Sequence, residues 1–194
     1  NSFANPFISS FGQIEAYVGT FGVDLGGLLI FLSQMSETLC ILLIPVFLSK
    51  FGIKRVMLIA MLAWAFRFGF FALGNPGSGV WLFVLSMIVY GVAFDFFNIS
   101  GSLFVDRETD LSIRSSAQGL FMMMTNGFGA TFGMLAAQAV VDRYVYTLGE
   151  NATGEQVIAG WTTCWYIFAA YALLVALLFA VSFRYKHVPE TTRS

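Results

Sequence analysis

The chain has 194 residues, of which 58% are hydrophobic and only 11% are charged, and its mean hydropathy is +0.78. Soluble domains carry about 25% charged residues, so this composition excludes an ordinary soluble domain and predicts a membrane protein. The net charge of −1 indicates no partner, because in a membrane protein the position of each basic residue matters more than the sum.

Residues 1–24 do not contain a complete membrane-spanning helix. Residues 1–10 are expected to be the end of a helix that begins earlier, since the chain starts inside an apolar, aromatic stretch without the charged region of a signal peptide. A Gly-rich connector follows at 11–24. On this interpretation the chain is a piece of a longer protein.

The first complete span is predicted at 25–48, with Glu37 as the one charge at its centre. A short basic turn, SKFGIKR, follows at 49–55. Gly52 in this turn can take the positive φ that ends a helix. The sequence therefore predicts that the chain reverses here.

The second span is predicted at 56–73 and is interrupted only by Arg67, after which GNPGSG at 74–79 forms a turn. The third span, 81–105, reads WLFVLSMIVYGVAFDFFNISGSLFV and carries one charge, Asp95. At about 1.5 Å per residue this span is roughly 37 Å long, enough to cross a bilayer with some tilt. Asp95 then lies near the middle of the membrane, where an unpaired charge costs at least about 2.5 kcal/mol.

Two faces of this third span carry different side chains. Tyr90, Phe94 and Asn98 recur every four residues and therefore share one face, whereas Asp95 points about 100° away from Phe94. The aromatic face and the acid are expected to meet different neighbours.

Two more spans are predicted, at 115–141 and 161–183. In the first of them, Gly129 and Gly133 have the small-xxx-small spacing that lets helices approach closely. Before the second, Thr153 and Gln156 fit a capping box, which predicts the start of a helix.

The basic residues predict the orientation of the chain. If successive spans alternate in direction, Arg143 lies on one side of the membrane and eight basic residues lie on the other: Lys50, Lys54, Arg55, Arg107, Arg114, Arg184, Lys186 and Arg193. The basic side, with the C-terminus, is expected to be cytoplasmic. An aromatic belt is expected at the opposite interface, formed by Trp81, Tyr144, Tyr146, Trp161 and Trp165.

Four segments together resemble the C-terminal half of the bacterial proton-coupled nucleoside permeases, members of the major facilitator superfamily. They are LSQMSETL at 32–39, LSMIVYGVAFDFFNISGSLFV at 85–105, SSAQGLFMMMTNGFG at 115–129 and FRYKHV at 183–188. The resemblance covers nearly the whole chain. The turn at 49–55 is also similar to the superfamily signature between helices eight and nine, except that Ser49 stands where that signature usually has an acid.

The resemblance implies an all-α membrane protein, the six-helix C-terminal half of a twelve-helix major facilitator fold. Five complete transmembrane helices and the end of a sixth, at 1–10, would lie in 1–194, and the partner of this domain would be the missing N-terminal half of the same transporter. The implied function is proton-coupled uptake of nucleosides, such as uridine or adenosine, across the bacterial inner membrane by alternating access. It implies no enzyme activity, cofactor, metal or nucleic-acid partner.

The resemblance also implies site residues. Those expected to line the nucleoside site are Gln34, Glu37, Tyr90 and Phe94, with Asn1 as a polar lining residue of the seventh helix. Asp95 matches the acid next to that site, and Asp95 and Glu37 are the candidates for carrying the coupling proton.

The chemistry of these residues suits a nucleoside independently of the resemblance. Gln34 and Glu37 are three residues apart and share a helix face. A carboxylate can accept both hydroxyls of a ribose, and an amide can both donate and accept. Tyr90 and Phe94 offer flat rings on which a base can stack, a contact worth about 1–3 kcal/mol per base in other proteins.

Other interpretations of the same residues stay open. Glu37 and Asp95 can be structural acids paired with Arg67, whose long side chain can also extend toward the interface, and Gln34 can serve only to hold helices together. A proton-coupled sugar permease of the same superfamily also suits an aromatic pair beside Gln and Glu. An intramembrane aspartyl protease or acyltransferase is a further alternative, although neither acid lies in a recognisable catalytic motif.

Overall fold

The computed structural model describes residues 2–20, 23 and 26–185, and every regular element in this part of the chain is helical. The helices are α1 (Ala4–Ser10), α2 (Gly26–Leu73), α3 (Val80–Glu108), α4 (Arg114–Met122), α5 (Ala130–Tyr144) and α6 (Gly154–Ser182). A π-helical segment, Met123–Gly129, joins α4 to α5, so that these two helices form one rod. Short 3₁₀ turns lie at Phe11–Gln13, Glu15–Tyr17 and Tyr146–Leu148.

The helix α2 reverses direction at Gly52. A straight helix of 48 residues would be about 72 Å long, more than twice the thickness of a bilayer core. Gly52 interrupts it with φ 74° and ψ 167°. Cys40 before this break and Ala60 after it pack in the same apolar cluster, which requires the chain to fold back. The helix end predicted at Gly52 is confirmed, and we call the two parts α2a (26–51) and α2b (53–73).

In the described part of the chain, four helical segments are long and apolar enough to cross a membrane: 27–73, 80–108, 114–148 and 154–182. The first contains the reversal at Gly52 and is long enough for two crossings. The last helix begins several residues earlier than the predicted start at 161. It begins there because the Thr153 hydroxyl accepts a hydrogen bond from the Gln156 backbone and the Gln156 side chain accepts one from the Thr153 backbone. This confirms the predicted capping box.

An aromatic core joins α1, α2b, α3 and α6 at one end of the bundle. Phe7 of α1 lies at its centre, with ring centroids 5.2–5.9 Å from those of Phe11, Phe71, Phe83, Trp161 and Trp165. Trp161 and Trp165 are only 2% and 3% exposed. Their predicted place in an interfacial belt is therefore wrong, because α1 packs over both rings; Trp81, Tyr144 and Tyr146 are exposed.

No other helix of the described residues approaches Gly129 or Gly133 closely. A Cβ added at Gly133 would meet nothing within 4 Å, and one added at Gly129 would meet only Met124 of the preceding turn. The rod formed by α4 and α5 contacts α3 near one end and α6 near the other, and 114–140 contains no buried residue. Its glycines therefore face open space.

The two cysteines are buried inside apolar packing. Cys40 lies in the cluster that joins α2a, α2b and α3, and Cys164 lies in the aromatic core. Both are free thiols.

Candidate functional site

The helices α2a and α3 touch backbone to backbone halfway along their length. A Cβ at Gly91 would lie 2.7 Å from the Ser36 carbonyl carbon and oxygen and 2.8 Å from the Glu37 nitrogen, so only glycine permits this approach. The Ser36 hydroxyl also donates a hydrogen bond to the Ile88 carbonyl across the same contact. This contact brings Glu37 beside Tyr90, which precedes Gly91.

Glu37, Tyr90 and Arg67 form a polar group where three helical segments meet. The Tyr90 phenol is within hydrogen-bonding reach of Glu37, and the charge of Arg67 interacts with both residues. The Arg67 guanidinium carbon lies 4.3 Å from the Tyr90 ring centroid, a cation–π contact. A buried cation is stable when charge and hydrogen-bond partners surround it, and this arrangement supplies both.

Arg67 is held inside the protein and does not extend to the interface. It is only 2% exposed. Its Nη1 donates to the Ser86 carbonyl at 2.9 Å, and the Ser86 hydroxyl donates to the Arg67 carbonyl at 3.1 Å. These bonds fix α2b against α3 and place the guanidinium over Tyr90.

Asp95 lies on the buried side of α3 and is 9% exposed. Its charge is within electrostatic range of Glu37 and of the Cys40 thiol. Within the described residues its Oδ2 is buried without a hydrogen-bond partner. A buried polar atom without a partner costs about 1–3 kcal/mol, and more when it is charged.

Tyr90 and Phe94 form an aromatic pair on the other face of α3. Their ring centroids are 5.9 Å apart and their planes differ by 16°, and Trp64 supports Tyr90 edge-on at 5.8 Å. Phe94 is 38% exposed, so part of its ring is free to contact a ligand.

The aromatic face continues into a cavity of about 450 Å³. Its polar lining comes from Asn98, Ser102 and Asp106 of α3 and Gln118 of α4. The Gln118 amide donates to the Ser102 carbonyl at 2.7 Å and accepts from its hydroxyl at 2.8 Å, which holds α4 against α3. A polar path therefore leads along α3 from the aromatic pair toward the end of the helix.

The structure brings together four of the residues predicted from the sequence: Glu37, Tyr90, Phe94 and Asp95. Gln34 lies one turn before Glu37 on α2a and is exposed. Asn1 lies outside the described residues. Gly91 and Ser36 position the site, and neither was predicted from the sequence. The signal available for Gly91 was a lone glycine inside an apolar helix, a position that often marks a close approach.

Comparison with known proteins identifies the family. A family model described as "Nucleoside H+ symporter" matches residues 1–188. The chain belongs to this family. The predicted resemblance is thereby confirmed.

Relatives and solved structures agree with this assignment. The chain is 49% identical over 191 residues to the xanthosine permease of Escherichia coli (strain K12), covering 98% of this chain and 44% of the relative. It is 48% identical over 193 residues to nucleoside permease NupG of the same organism, covering 99% and 44%. The crystal structure of nucleoside transporter NupG superposes with a TM-score of 0.84, at 49% identity, over 95% of this chain and 44% of that one.

These comparisons confirm the predicted all-helical membrane fold. They also show that the chain spans less than half the length of the curated relatives it matches. The relatives are named as permeases, which speaks against the enzyme alternatives.

Replacing Gly91 with Ala is expected to lower the stability of the protein by roughly 1–3 kcal/mol, because the new Cβ forces α2a away from α3. The measurement is the midpoint of thermal unfolding of the detergent-purified protein. Gly133→Ala is the matched control, since a Cβ there meets open space and Ala favours a helix by up to about 1 kcal/mol. Equal midpoints for the two variants would contradict the tight contact at Gly91.

Proposed function

We propose that residues 1–194 are the C-terminal half of a twelve-helix, proton-coupled nucleoside permease of the bacterial inner membrane. The observation that carries this proposal is the placement of Glu37 beside the Tyr90–Phe94 pair, with Asp95 buried behind them halfway along α3. Membership of the nucleoside H+ symporter family supports both the substrate class and the proton coupling.

Binding would use both the ribose and the base of a nucleoside. The Glu37 carboxylate accepts hydrogen bonds from the ribose hydroxyls, and the base stacks on the exposed part of Phe94. Arg67 holds Tyr90 and Glu37 in place from behind and so acts as a positioning residue. Gln34, one turn along α2a, and Asn1 each contribute a donor and an acceptor, and the N-terminal half supplies the remaining contacts.

The coupling proton is assigned to Asp95, with Glu37 as the competing candidate. Asp95 is only 9% exposed and lies within electrostatic range of a second acid, Glu37, so its protonation would change the charge at the centre of the bundle. In an alternating-access cycle, a group of this kind takes up a proton on one side of the membrane and releases it on the other.

The exposure of the rod formed by α4 and α5 is consistent with packing against a second six-helix half of the transporter. The described part of the chain leaves 114–140 without a buried residue, although Phe128, Phe132 and Leu135 are large and apolar. A helix with this surface suits a wall that contacts lipid and a second six-helix bundle. The basic residues at the α2a–α2b turn and near the end of α6 support a cytoplasmic C-terminus.

The experiment is uptake of labelled uridine by the complete permease in liposomes, with the outside acidic. We expect saturable uptake that stops when an ionophore collapses the pH gradient, and competition by adenosine but not by hexoses. Equal competition by hexoses would favour a sugar permease. Liposomes carrying only residues 1–194 are expected to show no saturable uptake, because half of the site is missing.

A further inference from the structure

We propose that the turn between α2a and α2b binds a phosphate-bearing anion, the head group of an anionic membrane lipid. The site is a cavity of about 460 Å³ at this turn, which Lys50, Lys54 and Arg55 line together with Phe51 and Tyr185. This inference goes beyond nucleoside transport and does not depend on it.

The cavity carries concentrated positive charge that the described acids do not neutralise. Its lining contains no acidic residue, and none of Lys50, Lys54 and Arg55 forms an ion pair with an acid in the described part of the chain. The sequence has no Asp or Glu between Glu37 and Asp95, and position 49 is a serine. Lys and Arg side chains bind phosphate through charge-assisted hydrogen bonds.

One of the three cations is fixed in place. The Lys54 ammonium donates a hydrogen bond to the Ala180 carbonyl near the end of α6, at 3.1 Å. An ammonium has three donors, so two remain for a ligand. Lys50 and Arg55 are exposed and lie on either side of the turn.

The position of the cavity favours a lipid as the source of the phosphate. The turn joins two apolar helices, each long enough to reach across a membrane, and so lies at a membrane–water boundary. Phe51 is 39% exposed and packs against Phe47 with ring centroids 5.6 Å apart, which offers an apolar surface to an acyl chain. On the other side, Tyr185 packs against Phe104 and Phe183. Basic pockets between helices at this depth are suited to anionic head groups.

The test compares lipid binding by the complete protein and by a variant in which two cations are removed, Lys50→Gln with Arg55→Gln. Lys54 is kept because it also anchors α6. Purified protein in a neutral detergent is titrated with phosphatidylglycerol, phosphatidylcholine and inorganic phosphate, and bound lipid is measured by native mass spectrometry. Each basic residue near a membrane surface contributes about fivefold to binding of an anionic lipid, so we expect a loss of about 25-fold for phosphatidylglycerol.

Two controls test whether weaker lipid binding by the double variant comes from loss of the site, from the lower net charge of the protein or from unfolding. Arg143→Gln removes a cation far along the chain and is expected to change phosphatidylglycerol binding less than about twofold, since it lies outside the cavity. The double variant should unfold at the same temperature as the parent in phosphatidylcholine. The proposal is overturned if phosphatidylcholine binds the parent protein as well as phosphatidylglycerol does, or if the double variant retains the parent's affinity. Inorganic phosphate that binds as tightly as phosphatidylglycerol would overturn the lipid as the source.

Discussion

Replacing Asp95 with Asn is expected to abolish the accumulation of nucleoside against its concentration gradient while leaving nucleoside binding largely intact. The Asn side chain has nearly the same shape as Asp but cannot take up or release a proton in this pH range. A pH gradient can drive transport only if some group binds its proton differently in the two states of the transporter. The buried carboxyl of Asp95, with an oxygen that lacks a partner among the described residues, is the group best placed to do so.

The measurement uses liposomes containing the complete permease and an imposed pH gradient. The parent protein should concentrate labelled uridine and acidify the lumen as it does so. The Asp95→Asn variant should bring uridine only to equal concentrations on the two sides and should still exchange internal for external uridine. Asp110→Asn is the matched control, because Asp110 is exposed after the end of α3 and should behave as the parent protein does.

A different result would assign the coupling proton to another residue. If the Asn variant still concentrates uridine and still acidifies the lumen, Asp95 does not carry the proton. Glu37 is then the first residue to test, because its charge is within electrostatic range of Asp95 in the same buried region. Loss of uridine binding in the Asn variant would instead indicate a direct contact between Asp95 and the ligand.

The sequence predicts the helices well because hydropathy and turn residues act locally. Gly52 ends α2a because a single glycine with positive φ can reverse the chain, and Thr153 with Gln156 begins α6 through bonds within one turn. The spacing of Tyr90 and Phe94 also predicts a shared face correctly, since it depends only on the geometry of one helix.

The sequence does not predict which helix faces meet, because that depends on the packing of elements distant in the chain. Gly91 and Gly133 are both glycines in apolar helices, yet only Gly91 has another backbone against it. Trp165 is of a residue type that is common at membrane interfaces, but it is covered by α1, which lies at the other end of the sequence. The cation–π contact between Arg67 and Tyr90 likewise joins two helices, and the sequence of neither helix alone predicts it.

The roles of Gln34, Glu37, Tyr90, Phe94 and Asp95 in binding and coupling stay predictions. Family membership supports them, and the structure brings four of the five into one region. A test of the ligand contact must therefore distinguish binding of a ribose from a purely structural role.

The second large effect is expected from Glu37→Gln, which keeps the shape of the side chain but removes its charge. A hydrogen bond to a charged group contributes about 1.5–3 kcal/mol, so the affinity for ribonucleosides should fall about ten- to a hundredfold. Deoxynucleosides lack one of the two hydroxyls that the carboxylate would accept, and they should lose less. The measurement is a binding titration of the complete permease with uridine and with deoxyuridine. Glu155→Gln, an exposed position in the first turn of α6, is the matched control.

Comparing uridine with deoxyuridine distinguishes the loss of a ribose contact from a structural effect of the substitution. Glu37 interacts with the buried charge of Arg67, so its loss is expected to destabilise the protein as well. Partial unfolding lowers the number of binding sites equally for uridine and deoxyuridine, whereas loss of a ribose contact changes the ratio of their affinities. A ratio that shifts toward deoxyuridine by about tenfold or more supports the ribose contact. An unchanged ratio, even with weaker binding of both, would assign Glu37 to holding Arg67 and Tyr90 in place.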